Sequence, residues 1–307
     1  MTGAQKELAY LKQFGQPLWP FQRVRRESYQ YQEQLPSDHI KNLDRYFLIV
    51  SSLIPRHQAF GHFCIRHPNL QTGNIIVSKS PDSNLRIVGL TDWQYTSILP
   101  PFLLAGIPER LQNHDDPISQ SMTQPSLPEN LDNLDETQQS REKELHRRRL
   151  IHYYYVKYTE QNNIIHYAAL TDPVGRLRRR LFRYASDPWE GETLGLKVAL
   201  IEATKHWESL TEGGPPVTCP IVFDDKDVRE TMELDAEQSA ADELLEACQY
   251  IVGCRAEGWV PTEHYDEAMA RSKKLKEETF EAAESEEERA EIAAHWIFDD
   301  MDESKYM

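Results

Sequence analysis

The sequence predicts an α+β protein that is mostly helical, with one small β-hairpin ahead of residue 92 and an acidic helical extension at its C-terminal end. Three observations predict this. Apolar residues recur at helical spacing on both sides of the hairpin region. Two β-rich runs, Asn74–Ser78 and Leu85–Leu90, enclose the turn formers Pro81-Asp-Ser-Asn84. Charge is segregated: residues 224–307 hold 26 acidic and 9 basic side chains, a formal −17, against +1 for residues 1–223.

Taken in order, residues 1–60 read as helices with breaks. Leu8, Leu11 and Phe14 have helical spacing, and Gly15 and Pro17 end that segment. Trp19-Pro-Phe21 reads as an anchored loop. Ser37 opens a second helix with Ile40, Leu43 and Phe47 on one face. Beyond the hairpin, residues 93–140 are loop-rich, with six prolines from Pro100 to Pro128. Helices follow over 141–160 (faces Leu145, Ile151, Tyr154, Tyr158), over 172–185 with Asp172 as cap and Pro173 in the first turn, and over 192–210. Gly213-Gly-Pro-Pro216 reads as a linker. In the tail, Leu244, Leu245, Cys248, Ile251 and Val252 lie close to one side of a helix that Gly253 ends. Thr262 caps the next helix, and Ser285-Glu-Glu-Glu288 fits a capping box for the last. The division expected is 1–60 as a helical lead-in, 61–215 as the central lobe and 216–307 as an acidic extension. Trp259, Trp296 and Phe298 are too costly to leave in water together, so they are expected to dock that extension on the rest.

Composition narrows the function classes. The net charge of −16 argues against nonspecific nucleic-acid binding, which is driven by phosphate neutralisation. No apolar run approaches 18 residues, so no transmembrane segment is expected. The first 16 residues lack a secretory or presequence pattern, and a cytoplasmic location is the reading from the chain itself. Cys64, Cys219, Cys248 and Cys254 form no C-x-x-C pair and read as free thiols, with Cys248 in the core. The basic runs His146–Arg149 and Arg176–Arg180 fall on helical patterns. They read as solvated faces and ion pairs rather than as a phosphate or RNA surface.

The chemically informative stretch is His67-Pro-Asn-Leu-Gln-Thr-Gly-Asn74, then the hairpin, then Leu90-Thr-Asp-Trp93. Phosphoryl transfer from ATP needs a residue that orients or deprotonates the acceptor hydroxyl. It also needs an amide oxygen and a carboxylate that hold the metal on the phosphates. Base and amide sit on one short loop, and the carboxylate follows a hairpin that returns beside it. Asn69, Asn74 and Asp92 have that spacing.

In this arrangement the chain resembles the aminoglycoside phosphotransferase family of protein-kinase-like enzymes, whose pattern is H-x-D-x-x-x-x-N, a hairpin and [IL]-x-D-W. It is most similar to a fungal branch that includes the "altered inheritance of mitochondria" proteins. The similar segments are Thr91–Leu103, Pro188-Trp-Glu-Gly191, Gly258-Trp-Val-Pro261 and His295–Asp302. The resemblance implies the C-terminal lobe of a kinase-like fold, with ATP and Mg²⁺ as cofactors and a small-molecule hydroxyl as acceptor. It leaves a mitochondrial location open. It implies that His67 braces the catalytic loop, that Asn74 and Asp92 hold metal, and that Asn69 stands where the family has its catalytic aspartate. A neutral amide cannot take a proton, and loss of a general base typically costs about 10²–10⁴ in rate. Only about sixty residues precede the loop, and among them neither a glycine-rich loop nor a strand-borne lysine is evident; Lys6, Lys12 and Lys41 lie in helical or loop patterns. The expectation is a phosphotransferase by descent with impaired activity, or alternatively a non-catalytic scaffold that binds a protein partner.

Overall fold

The computed structural model describes residues 3–79, 85–114, 116–128, 130–215, 217–254 and 258–299. The expected turn Pro81–Asn84 lies outside them, as do Pro216 and residues 300–302 of the last similar segment. The described elements, in chain order, are helices α1 (Gly3–Phe14) and α2 (Pro36–Ile49), strands β1 (Cys64–Ile65), β2 (Ile75–Lys79), β3 (Leu85–Leu90) and β4 (Ile98–Leu99), then ten further helices. These are α3 (Pro101–Leu104), α4 (Pro117–Gln120), α5 (Glu136–Asn162), α6 (Ile164–Leu170), α7 (Gly175–Ser186), α8 (Leu194–Lys205), α9 (Trp207–Leu210), α10 (Asp225–Val252), α11 (Tyr265–Ala282) and α12 (Glu286–His295). The chain is mostly helical with two small antiparallel sheets, β1–β4 and β2–β3, as the α+β reading expects. No described helix is long and apolar enough to cross a membrane.

The chain forms two compact units. The first combines residues 1–50, 183–205 and 219–307; the second combines 51–182 and 206–218.

In the first unit α2 packs on α1 and α8, α8 on α10, and α10 on α11. α1 ends where Gly15 stops it, its N–H still bonded to Leu11 O at 3.0 Å. The buried face of α2 is His39, Asn42, Leu43, Tyr46 and Ile49. That face lies about a third of a turn from the expected Ile40–Leu43–Phe47 stripe, because two polar residues are buried on Thr193: His39 Nδ1 lies 2.9 Å and Asn42 Nδ2 3.0 Å from its Oγ1. The tail is held by polar contacts that pattern alone does not show. Arg25 joins Asp242 and Glu192, Arg23 donates to Trp296 O and Asp299 O, and Tyr31 stacks on His295 at 3.8 Å. Of the three aromatic anchors, Trp296 is buried against Phe298 at 6.1 Å, but Trp259 is half in water. The apolar side of α10 is also only partly covered: Val252 is buried, Cys248 is half-buried rather than core, and Leu244 and Ile251 are exposed. Gly253 ends this helix in the left-handed conformation (φ 83°), as its position implies. Ser285 caps α12 at Glu288 N, while Glu288 reaches back to Glu284 N instead of closing the box on Ser285.

Burial pushes His39 down to about 4, and its Nε2 has no hydrogen-bond partner. An unfolded histidine titrates near 6.5, so between these values the unfolded state binds the proton and the folded state does not. Stability is therefore complete above about pH 6.5 and falls as pH drops toward 4, by about 3 kcal/mol from this residue. Urea unfolding across that range is expected to show the loss in the wild type, and His39→Leu is expected to flatten the curve by the same amount. Parallel curves would rule His39 out as the source.

In the second unit Phe102, Ile107, Val156, Leu177, Leu181, Trp207 and Leu210 form the core. Its long helix α5 begins earlier than the apolar pattern suggests, because Asp135 and Gln138 form a reciprocal capping box. α5 buries His152 and Val156 and leaves Tyr154 and Tyr158 stacked on each other at the surface. The first basic run is as expected: Arg147 and Arg148 pair with Glu144, and Arg149 forms a largely buried pair with Asp116, which holds that carboxyl down at about 2. The second run is solvated only in part: Arg176 is exposed, but its neighbours turn inward. Arg178 is 6% exposed, donates to Leu53 O and Leu210 O, and pairs with Asp172. Arg179 donates to Phe102 O and Ala169 O, and burial lowers it to about 10.

Candidate functional site

The loop and the hairpin lie within the second unit, and the hairpin is what brings the loop residues to Asp92. β2 and β3 pair from Ile75↔Leu90 to Lys79↔Leu85, with an irregularity between Ile76 and Val77. The pairing continues past the strand ends, where Thr91 N donates to Asn74 O at 3.0 Å. Residues 69–74 and 90–92 are thus held side by side although about twenty positions separate them.

His67 fixes the loop. Its Nε2 lies 2.7 Å from Thr91 O, and its Nδ1 lies 3.2 Å from the backbone N–H of Asn69. A carbonyl can only accept and a backbone N–H can only donate, so Nε2 carries the proton and Nδ1 is the acceptor. The ring is buried, with Trp93 edge-on at 4.8 Å. Asn74, also buried, donates from Nδ2 to Asn69 O at 2.9 Å and to Asp92 Oδ2 at 3.4 Å. Its Oδ1 is left as an acceptor. Asp92 takes a left-handed backbone (φ 65°), as does Tyr95 three residues on (φ 60°). Asp accepts this conformation more readily than most residues, but for a Tyr it is costly, and such outliers concentrate at functional sites. All four residues singled out in the sequence, His67, Asn69, Asn74 and Asp92, therefore lie in one hydrogen-bonded cluster. Asn69 contributes backbone groups to it, and its side chain is exposed.

The donors suit a hard cation of the magnesium type: an amide oxygen and a carboxylate, with remaining positions for water or phosphate. They do not suit zinc, and no group of three or more His, Cys, Asp or Glu side chains able to hold a metal occurs among the described residues.

Against known proteins, no family model and no solved structure matches the chain. Two curated proteins do, both called subtelomeric hrmA-associated cluster proteins, from two strains of Aspergillus fumigatus. Each is 25% identical over 272 residues, 88% of this chain. The chain spans about half the length of these relatives, 51%.

A second set of residues was not legible beforehand. Arg66, between β1 and His67, donates through its guanidinium to Leu104 O, Gly106 O and Tyr155 OH, and Tyr155 OH lies 3.4 Å from His166 Nε2. Burial first, and Arg66 second, push His166 down to about 4. The adjacency of Arg66 to the His67 motif was the available signal. Tyr155 and His166 come from helices about ninety residues on, and nothing local connects them to it.

Proposed function

We propose that the loop of the second unit is a phosphotransferase-type catalytic loop in which an amide takes the proton-accepting position. The chain would then be an aminoglycoside-phosphotransferase-like, kinase-like protein by descent, with little or no transfer activity of its own. The observation that carries this reading is the Asn74 side chain, which joins the backbone of Asn69 to the carboxylate of Asp92. A loop that presents an acceptor hydroxyl and a metal to the same phosphoryl group needs this connection. Asn74 Oδ1 and the Asp92 carboxylate would hold Mg²⁺, which neutralises phosphate charge when bound. Asn69 can hydrogen-bond a hydroxyl but cannot accept its proton, and His67 is engaged on both ring nitrogens. No residue is assigned to the nucleotide: the described part of residues 1–60 is helical and turn-rich, and its one β-bridge joins Leu18 and Gln34.

A second reading is a non-catalytic module that keeps the lobe for binding a protein partner. The neutral Asn69 favours it. So does the hairpin, where Val77, Leu85, Ile87 and Val88 are all more than half exposed.

Titration with Mn²⁺, followed by paramagnetic broadening of backbone amide signals, tests the metal pair. Signals at Asn74 and Asp92 are expected to broaden first, and Asp92→Ala is expected to abolish that response. Broadening confined to the acidic residues of 224–307 would sink the reading. In parallel, ATP turnover with hydroxylated small molecules is expected to be undetectable for the wild type and for Asn69→Asp alone. Positioning and charge stabilisation of the phosphates outweigh the base in this chemistry. Turnover in the wild type that Asp92→Ala removes would show that Asn69 is no lesion.

A further inference from the structure

A cavity of about 460 Å³ lies beside His67 in the second unit. That volume falls within the range of small-molecule sites, about 300–1,000 Å³. Its lining contains no Asp or Glu, although the chain has 50 of them. The lining does contain Arg66 and three histidines, His62, His67 and His166. Arg66 has no carboxylate partner among the described residues; its bonds go to two backbone carbonyls and a phenol. A guanidinium has five N–H groups. Three such bonds therefore leave two donors, on Nε and Nη1, and no anion among the described residues neutralises the charge.

Apart from Thr159 and Asn163, most of the rest of the lining is apolar or aromatic, including Ile65, Leu70, Leu90, Leu104 and the indole of Trp93. A half-buried cation over an apolar floor attracts an anion more strongly than it would in water. Both N–H groups of Arg66 Nη2 are engaged, so a carboxylate would meet the guanidinium through a charge-assisted bond from Nε or from the remaining Nη1 N–H. The apolar walls add area for a hydrophobic body. We propose that this cavity binds a small organic carboxylate with an apolar, ring-sized body. An amino-sugar polycation, by contrast, would meet Arg66 and find no carboxylate to answer it. The site does not depend on phosphoryl transfer at the loop and goes beyond that reading.

The test is calorimetric titration of the full chain with 2-naphthoate, its neutral amide 2-naphthamide, and the cation 2-naphthylmethylammonium. Naphthoate is expected to bind, with the amide weaker by about tenfold or more and the ammonium weaker again. Thr159→Asp introduces a carboxylate into the lining, and Ile165→Trp fills the space from a partly exposed position. Each is expected to weaken naphthoate by about tenfold or more while the circular dichroism melt stays unchanged. Arg66→Lys keeps the charge but cannot reproduce the planar array that holds Leu104 O and Gly106 O while presenting a donor to the cavity, and is expected to fall between. Should Arg66→Lys fail to fold, the other two variants still decide. Equal binding of amide or ammonium, no naphthoate binding at millimolar concentration, or wild-type affinity in both Thr159→Asp and Ile165→Trp would overturn the proposal.

Discussion

Arg178→Met is expected to cost the second unit about 3–5 kcal/mol, the range seen when one partner of a buried ion pair is removed. Arg178 lies in α7 with its guanidinium on Leu53 O at 2.8 Å, on Leu210 O at 3.2 Å and beside Asp172 at 3.4 Å. Methionine matches the stem but offers no N–H, so two carbonyls and a largely buried carboxylate lose their partner at once. Burial pulls the Arg178 guanidinium below its ordinary range, with Asp172 opposing. A guanidinium stays protonated in proteins, so the charge is present and must be matched. Denaturant unfolding measures the loss. Asp172→Asn in the Arg178→Met background removes the stranded charge while leaving an oxygen for Val174 N, which Asp172 now caps at 3.0 Å. The double variant is therefore expected to recover part of the stability. A loss below about 1 kcal/mol in the single variant would mean that water replaces the guanidinium at no cost, and that Arg178 is not a structural cation.

Gly191→Ala is expected to cost the first unit about 2–5 kcal/mol or more, for a different reason. Gly191 has φ 84°, and a methyl group built on it would lie 2.3 Å from Trp19 O, 2.6 Å from Trp19 C and 2.9 Å from Pro20 N. These are backbone atoms of a segment pinned on its other side, because Phe21 N donates to Glu190 O at 3.0 Å. No side chain can rotate away to make room. The left-handed backbone alone costs an alanine about 1–2 kcal/mol, and moving the Trp19–Pro20 segment adds about 1–3 kcal/mol or more. A thermal melt of Gly191→Ala set beside Gly213→Ala separates the two terms. Gly213 also has positive φ (77°) but has open space around it, so its loss should reflect the backbone term alone. Equal losses would show that the close approach to Trp19 is easily relieved.

Much of the local structure was legible because its causes are local. Gly15 and Gly253 end helices where they stand, and the two β-rich runs pair with each other as a hairpin. The cluster of His67, Asn69, Asn74 and Asp92 was legible too, since a hairpin of that length can return Asp92 only beside the loop that precedes it. Arg178 and Arg179 were misplaced because a run of arginines on a helix predicts a wet face. Nothing near them in sequence announces that the carbonyls of Leu53, Leu210 and Phe102 need donors. The half-exposed Trp259 and the polar side of α2 have the same origin: they depend on which distant segment arrives, as Thr193 arrives at His39. The cation of the cavity was illegible for want of a negative fact, the absence of any carboxylate among the described residues that line it around Arg66, which only the assembled lining displays.

The first unit is made of three separated stretches, and this sets an order of events while the chain is being made. Arg25 meets Asp242 across 217 residues, a stretch that takes about 10–40 s to synthesise at about 5–20 residues per second. Until residue 205 has been added α1 and α2 have only each other to pack on, because α8 is incomplete, and α10 begins only at residue 225. The second unit has all of its residues once Thr218 has been added, while the first still awaits the acidic stretch. Residues 1–50 are made well before the rest of their unit, and until α8 and α10 arrive their uncovered apolar positions are natural clients for a chaperone that holds exposed helices.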